Sequence, residues 1–236
     1  MKRFWDQATA EVGPDGPMIL LDGKPMRIPG GAALRVDTAL LAAAIAAEWQ
    51  AAGGQKGGEM TMRDVPLTRL AGTAQDRIAP DPAPVADALA KYAETDVLCY
   101  RAGQPLPLVH RQALAWQPWL DWLAHTHGAR LQPTEGISVL TQDEEALSKV
   151  RDVLRGQKAS VLAGLGIAVP ALGSVVLGLA LADGALEAQA AHDLAHLDEL
   201  FQAQQWGDDR WAASRRANVA KDVALAARFM ALARAA

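Results

Sequence analysis

Ala79-Pro80-Asp81-Pro82-Ala83-Pro84 divides the chain. Each proline removes a backbone donor and pushes the residue before it out of the helical region, so neither helix nor strand is expected to run through. The two sides of this linker read differently. Before it, Thr9 to Val12, Met18 to Leu21 and Pro25 to Ile28 are short strand candidates, and Asp22-Gly23 is a two-residue hairpin turn whose residues tolerate positive φ. Asp37 is placed to cap a helix through Leu40, Leu41, Ala44, Ile45 and Trp49, with Gly53-Gly54 and Gly57-Gly58 in the loop beyond it. Pro66 suits the first position of a second helix through Leu67 and Leu70.

After the linker the pattern is helical. The spacing predicts helices over Val85 to Thr95, Leu106 to His127, Gln142 to Arg155, Leu186 to Gln205 and Asp208 to Arg234, with two short apolar helices between the third and fourth of these. The expected architecture is therefore α+β. A small N-terminal α/β domain of hairpin sheet plus helix, residues 1–80, precedes a larger all-helical orthogonal-bundle domain, residues 81–236.

Composition narrows the function. Half of the 236 residues are hydrophobic, enough for a sizeable core, and the net charge of −4 argues against a general nucleic-acid binder. The single cysteine, Cys99, forbids an internal disulfide; it sits among Val97, Leu98 and Tyr100 and reads as a small buried hydrophobe. Met1-Lys2-Arg3-Phe4-Trp5 lacks the apolar stretch of a secretory signal, and the expected location is cytoplasmic. The preference for Ala and Arg reads as bacterial coding bias. Ala159 to Ala182 carries no charge and is long enough to span a bilayer. Its Ala and Gly content and its central Pro170 favour two buried helices either side of Val169-Pro170, with no stable membrane insertion.

No phosphate loop, dinucleotide fingerprint, nucleophile elbow or paired-cysteine zinc pattern is present. His192-x-x-x-His196-x-x-Glu199 is the strongest enzyme-like signal, since on one helix these residues share a face and could ligate zinc or iron in a hydrolase or oxygenase. That face lies opposite the Leu186, Ala190, Leu194, Leu197 and Phe201 stripe, so it is expected to face solvent or a partner. Glu94 and Asp96 could form a carboxylate pair, but a helix end followed by an Asp-capped turn is the simpler reading. Asp208-Asp209 reads as a helix N-terminus. Seven tryptophans against three Phe and two Tyr favour contact surfaces, because Trp is seldom wholly buried and is common at binding hot spots. Trp116, Trp119 and Trp122 form a band around Pro118, which either kinks that helix or starts a new one. The last helix, with Arg210, Arg215, Arg216, Lys221, Arg228 and Arg234, is a candidate docking face for an acidic patch.

Several strings together resemble a known family. They are Leu20-Leu21-Asp22-Gly23-Lys24-Pro25, Ala47-Glu48-Trp49, Pro66-Leu67-Thr68-Arg69-Leu70, Thr95-Asp96-Val97-Leu98-Cys99-Tyr100-Arg101, Arg111-Gln112 with Trp116 and Pro118, Gly173-Ser174, Leu197-Asp198-Glu199 with Phe201-Gln202, and Trp206-Gly207-Asp208. In order and spacing they are similar to the assembly chaperones of the F-type ATP synthase catalytic head. The resemblance implies a non-enzymatic chaperone without cofactor or metal. It would hold the free alpha subunit and shield its subunit interface until beta replaces it, and would be monomeric when free. It implies a partner-binding set of Glu199, Trp206, Asp208, Arg215 and Arg216, and structurally sensitive positions at Trp49, Asp96, Tyr100, Arg101 and Trp116. The sequence departs from the pattern at Val65, where Met is expected, and at Gln117, where an acidic residue is expected.

Overall fold

The computed structural model describes residues 1–28, 31–136 and 140–234. The chain forms two compact units. The first is Met1–Pro82 with Lys158–Gly164 and Arg228–Ala236, and the second is Ala83–Gln157 with Leu165–Ala227.

In the first unit, β1 (Ala8–Gly13), β2 (Gly16–Leu21) and β3 (Lys24–Pro25) make an antiparallel meander with Ala8 opposite Leu21 and Leu20 opposite Pro25. Asp22 (φ 47) and Gly23 (φ 74) turn the β2–β3 hairpin as the sequence predicts. The third strand is shorter than predicted. Ile19 and Leu21 point inward from β2 and are buried against α1 (Ala39–Ala51), which contributes Leu41, Ile45 and Trp49.

Two details of α1 differ from the sequence reading. Thr38, not Asp37, is its cap: the Thr38 hydroxyl accepts the Leu41 N–H at 3.0 Å and donates to the Leu232 carbonyl at 2.6 Å. Asp37 instead accepts the Ser160 hydroxyl. At the other end, buried Arg3 donates to the carbonyls of Gln50, Ala52 and Gly54, besides those of Trp5 and Asp6. A guanidinium there satisfies carbonyls that the helix end leaves unpaired, where cations are also favoured. The basic N-terminal residues thus include a structural one.

The second helix, α2 (Pro66–Thr73), begins at Pro66 as predicted and continues as a π-helical turn, Ala74–Ile78. The second unit opens with α3 (Ala83–Ala90), followed by 3-10 turns at Lys91–Thr95 and Val97–Cys99. A two-residue parallel pair joins β4 (Tyr100–Arg101) to β5 (Thr134–Glu135). The remaining helices are α4 (Leu106–His127), α5 (Glu144–Arg155), α6 (Ala159–Leu172), α7 (Val175–Asp183), α8 (Ala188–Ala195), α9 (Leu197–Trp206) and α10 (Arg210–Arg234). A small sheet with its helix followed by a helical domain is the expected α+β class.

Pro118 starts no new helix, because α4 runs through it over the predicted span. The N–H that proline lacks would have gone to Leu114, and Leu114 is 80% exposed, so water can serve its carbonyl. Pro170 lies inside α6, whose break falls later, at Gly173 (φ 62) and Ser174. Ser174 then caps α7 by accepting the Leu177 N–H at 3.0 Å. Across both helices Leu162, Leu165, Val175, Val176, Leu177, Leu179 and Leu181 are core, and Ile167 is half-buried. Among the described residues no helix is long and apolar enough to cross a membrane.

Candidate functional site

The expected single helix over Leu186 to Gln205 is broken at His196, and the break decides where its polar residues go. His196 (φ −105, ψ 20) ends α8, its N–H reaching the His192 and Leu194 carbonyls, and α9 starts at Leu197. The change of axis invalidates a single helical wheel. His192 and His196 are buried, not solvent-facing, and stack with ring centroids 4.4 Å apart.

The zinc or iron reading fails on this geometry. Both ring nitrogens of His192 already have oxygen neighbours, Asp193 Oδ1 and the Arg216 carbonyl, each at 3.1 Å, so neither side of the ring is open to a metal. His196 Nδ1 faces the His192 carbonyl at 2.9 Å, and burial lowers the affinity of that ring for a proton. Among the described residues no group of His, Cys, Asp and Glu could hold a metal.

Glu199 turns instead toward α10. Arg215 reaches it at 2.6 Å and Arg216 at 3.5 Å, and Arg216 also pairs with Asp208. Burial alone would raise the Glu199 carboxyl, but the bond and charge of Arg215, with His196 and Arg216 behind, hold it below the ordinary carboxylate range. The expected partner-binding residues Glu199, Asp208, Arg215 and Arg216 therefore form one charge network. Arg216 is not a surface group as expected: it is 6% exposed and positions the two carboxylates from beneath, whereas the Arg215 side chain is 64% exposed. Arg216→Ala is expected to cost about 2 kcal/mol, in the range for hydrogen bonds to charged groups, and Arg215→Ala under about 1 kcal/mol. Urea unfolding of the two variants checks the order.

Two tryptophans lie on the same two helices as the network. Trp206 ends α9 at 80% exposure, and Trp211 near the start of α10 is 86% exposed. Gly207 (φ 87) makes the sharp exit from α9 between them, a conformation that favours glycine. Asp209 then caps α10 by accepting the Ala212 N–H at 2.9 Å, the helix-start role read for the Asp208-Asp209 pair. The site thus presents large aromatic surface beside pinned charges of both signs. That suits recognition of a protein surface, and it brings no activated nucleophile or general base together.

The face is fixed from below by α4. Trp116, 1% exposed, donates its indole N–H to the Leu194 carbonyl at 2.9 Å, beside the helix break. Gln112, fully buried, donates to Asp198 at 2.7 Å and accepts from the Ala102 N–H at 2.8 Å. Arg111 reaches Gln204 at 2.6 Å. Gln112, Asp198 and Trp211 were outside the expected set. The first two lie in the quoted strings, but nothing in a linear string says that they meet.

The other singled-out residues lie elsewhere. Asp96 is fully buried and caps its 3-10 turn through the Leu98 N–H at 3.1 Å. It also accepts the Ser174 hydroxyl at 2.9 Å and the Val176 N–H at 3.1 Å, and Glu94 is no partner to it. Tyr100 and Arg101 form β4, and Arg101 donates to the Gln117 side-chain oxygen Oε1 at 2.9 Å. An amide oxygen therefore does there what the expected acidic residue would do. Cys99 is buried, and burial pushes its thiol up to about 12, which removes it as a nucleophile at neutral pH. Trp49 is a core residue of the first unit.

The ATP12 chaperone protein family matches residues 2–124, more than half of the chain. The chain belongs to the ATP12 chaperone family. This is the ATP synthase assembly-chaperone family that the quoted strings resemble. The crystal structure of Atp12 from Paracoccus denitrificans is 38% identical, with a TM-score of 0.92, over 99% of this chain and 98% of that one. The mitochondrial atp12 protein of Schizosaccharomyces pombe is 24% identical over 217 residues, 87% of this chain and 74% of that protein. The structural likeness to Atp12 extends over α8 to α10, beyond the part matched by the family, so the Glu199 network sits on an ATP12 scaffold.

Proposed function

We propose that this ATP synthase assembly chaperone holds the free alpha subunit of the catalytic head through the α9–α10 face, and shields its subunit interface until the beta subunit replaces it. The output is binding energy, with no catalytic turnover. The observation that carries the reading is the pair of exposed tryptophans, Trp206 and Trp211, on the same two helices as the pinned Glu199–Arg215–Arg216–Asp208 network. Exposed Trp costs the free protein solvation, and it is concentrated at protein contacts because one rigid side chain buries a large area. Glu199, Asp208 and Arg215 supply charges of both signs around it, which fix register and disfavour wrong partners. An unassembled subunit of a ring exposes apolar surface that invites aggregation, and a temporary cap of standard interface size, ~1,600 Å², can yield to a larger native contact.

Purified chaperone and isolated alpha subunit are expected to form a stoichiometric complex on size-exclusion chromatography, and intact ATPase is expected to form none. Trp206→Ala and Trp211→Ala should each weaken the complex by about 30-fold, the scale of a hot-spot truncation. Glu199→Lys should abolish binding, at a cost in stability because it sets a third cation against Arg215 and Arg216; circular dichroism checks that the fold persists. Failure of soluble alpha subunit to bind, or binding indifferent to both tryptophans, removes the proposal.

A further inference from the structure

The first unit carries a cavity that the α9–α10 face does not use. It has a volume of about 530 Å³, within the ~300–1,000 Å³ range of ligand sites. Met26, Ile28 and Trp49 give it an apolar floor, and Met62 is an exposed, adaptable side chain at its edge. Arg69 and Arg77 stand over it from α2 and the π-helical turn that continues α2. Both are exposed, and neither guanidinium has a hydrogen-bond or ion-pair partner among the described residues. Asp76 lies between them in sequence and also lines the cavity. The π turn is a second sign, because such turns are frequent at functional sites.

We propose that this cavity is a peptide-docking site for an extended segment of the pattern acidic-x-apolar-x-acidic. The geometry sets the pattern. Arg69 and Arg77 are eight residues apart, about 12 Å along a helix at 1.5 Å per residue. In an extended chain, residues i, i+2 and i+4 point to one side and span about 13 Å. Two carboxylates at i and i+4 therefore reach the two guanidiniums while the apolar side chain at i+2 enters the cavity. Arginine forks suit carboxylates, and these two lack a competing internal partner. Asp76 discriminates between occupants through its acceptor oxygens, which can take a backbone N–H that a peptide has and a fatty acid lacks. A polypeptide occupant rests on membership of a chaperone family, not on the alpha-subunit assignment above.

The test is fluorescence anisotropy of the full chain with a fluorescein-labelled peptide carrying Glu-Ala-Phe-Ala-Glu between glycines. Micromolar binding is expected. It should weaken about tenfold in Arg69→Ala and in Arg77→Ala, about tenfold for the Gln-Ala-Phe-Ala-Gln peptide, and further for Glu-Ala-Ala-Ala-Glu. Gly72→Leu, which plugs the cavity from α2 without touching either arginine, should abolish binding; an added Cβ there meets only Ile28, at 3.6 Å. Peptide binding should also fall between 50 and 300 mM salt. No binding at millimolar protein, equal affinity for the Glu and Gln peptides, or binding unchanged by Gly72→Leu would overturn the site. Laurate that binds the cavity while the peptide does not would overturn the peptide assignment. None of these readouts involves the alpha subunit, so failure here and failure of the α9–α10 face are separate results.

Discussion

Trp49→Ala is expected to lower stability by about 3–5 kcal/mol, the range for removing a buried Trp or Phe side chain. Trp49 is 6% exposed and does more than fill space. Its ring packs on Trp5 with centroids 4.8 Å apart, and the Trp5 indole donates to the Trp49 carbonyl at 3.2 Å. Its own indole N–H donates to the Thr68 hydroxyl at 2.7 Å. Its neighbour Glu48 accepts the Leu67 N–H through both carboxylate oxygens at 3.1 Å, and so caps the start of α2, where Pro66 has no N–H to offer. Truncation therefore leaves a cavity, strips Thr68 of its donor and loosens the seat on which Glu48 meets α2. Trp49→Phe keeps most of the area and loses the hydrogen bond, so its cost should be nearer 1–2 kcal/mol. Urea titrations followed by circular dichroism read both numbers. A Trp49→Ala cost under 1 kcal/mol would show that the site collapses around the loss and that the two α-helices are held otherwise.

Asp96→Ala should cost a similar amount by a different route. The carboxylate is fully buried and is the shared acceptor for Leu98, Ser174 and Val176. Removing it strands buried donors at about 1–3 kcal/mol each, partly relieved because the Ser174 hydroxyl can rotate. A total near 4 kcal/mol is expected. The pH dependence separates this from simple loss of packing. Burial raises the Asp96 carboxyl from 3.8 to about 6, against the opposing bonds from Val176, Leu98 and Ser174. The folded protein therefore takes up a proton that the unfolded chain does not hold between about pH 6 and pH 4. Stability then rises as pH falls through that window, by an amount on the order of 3 kcal/mol. The alanine variant lacks this contribution, so its deficit relative to the parent should widen between pH 7 and pH 4. A deficit that stays constant, or narrows, would mean that Asp96 is ionised in the fold at all those pH values.

The quoted strings are informative in pairs, and the structure gives the pairing. Glu48-Trp49 meets Leu67-Thr68. Asp96 meets Ser174, and the Val97 N–H meets the Gly173 carbonyl at 3.1 Å. Gln112 meets Asp198. Glu199 and Asp208 meet at Arg216. Each of these strings is half of a tertiary contact. The family could be recognised from the strings because these contacts require particular side chains at particular places.

Local chemistry was legible wherever it was decided locally. The Asp22-Gly23 turn, the Pro66 helix start and the α4, α5 and α10 spans follow from φ preferences, periodicity and caps acting within a few residues. What depended on neighbours distant in sequence was not legible. Pro118 and Pro170 are tolerated because exposed carbonyls can turn to water, and exposure is a property of the fold. The helix break at His196, which buried both histidines and turned Glu199 toward α10, is held in part by Trp116 from another helix. From the sequence alone came the locally decided turns, caps and helix starts and the family, since backbone preferences are short-ranged. Only the tertiary structure decided which polar side chains became core and which became surface, because burial and charge pairing are settled between segments that the chain order keeps apart.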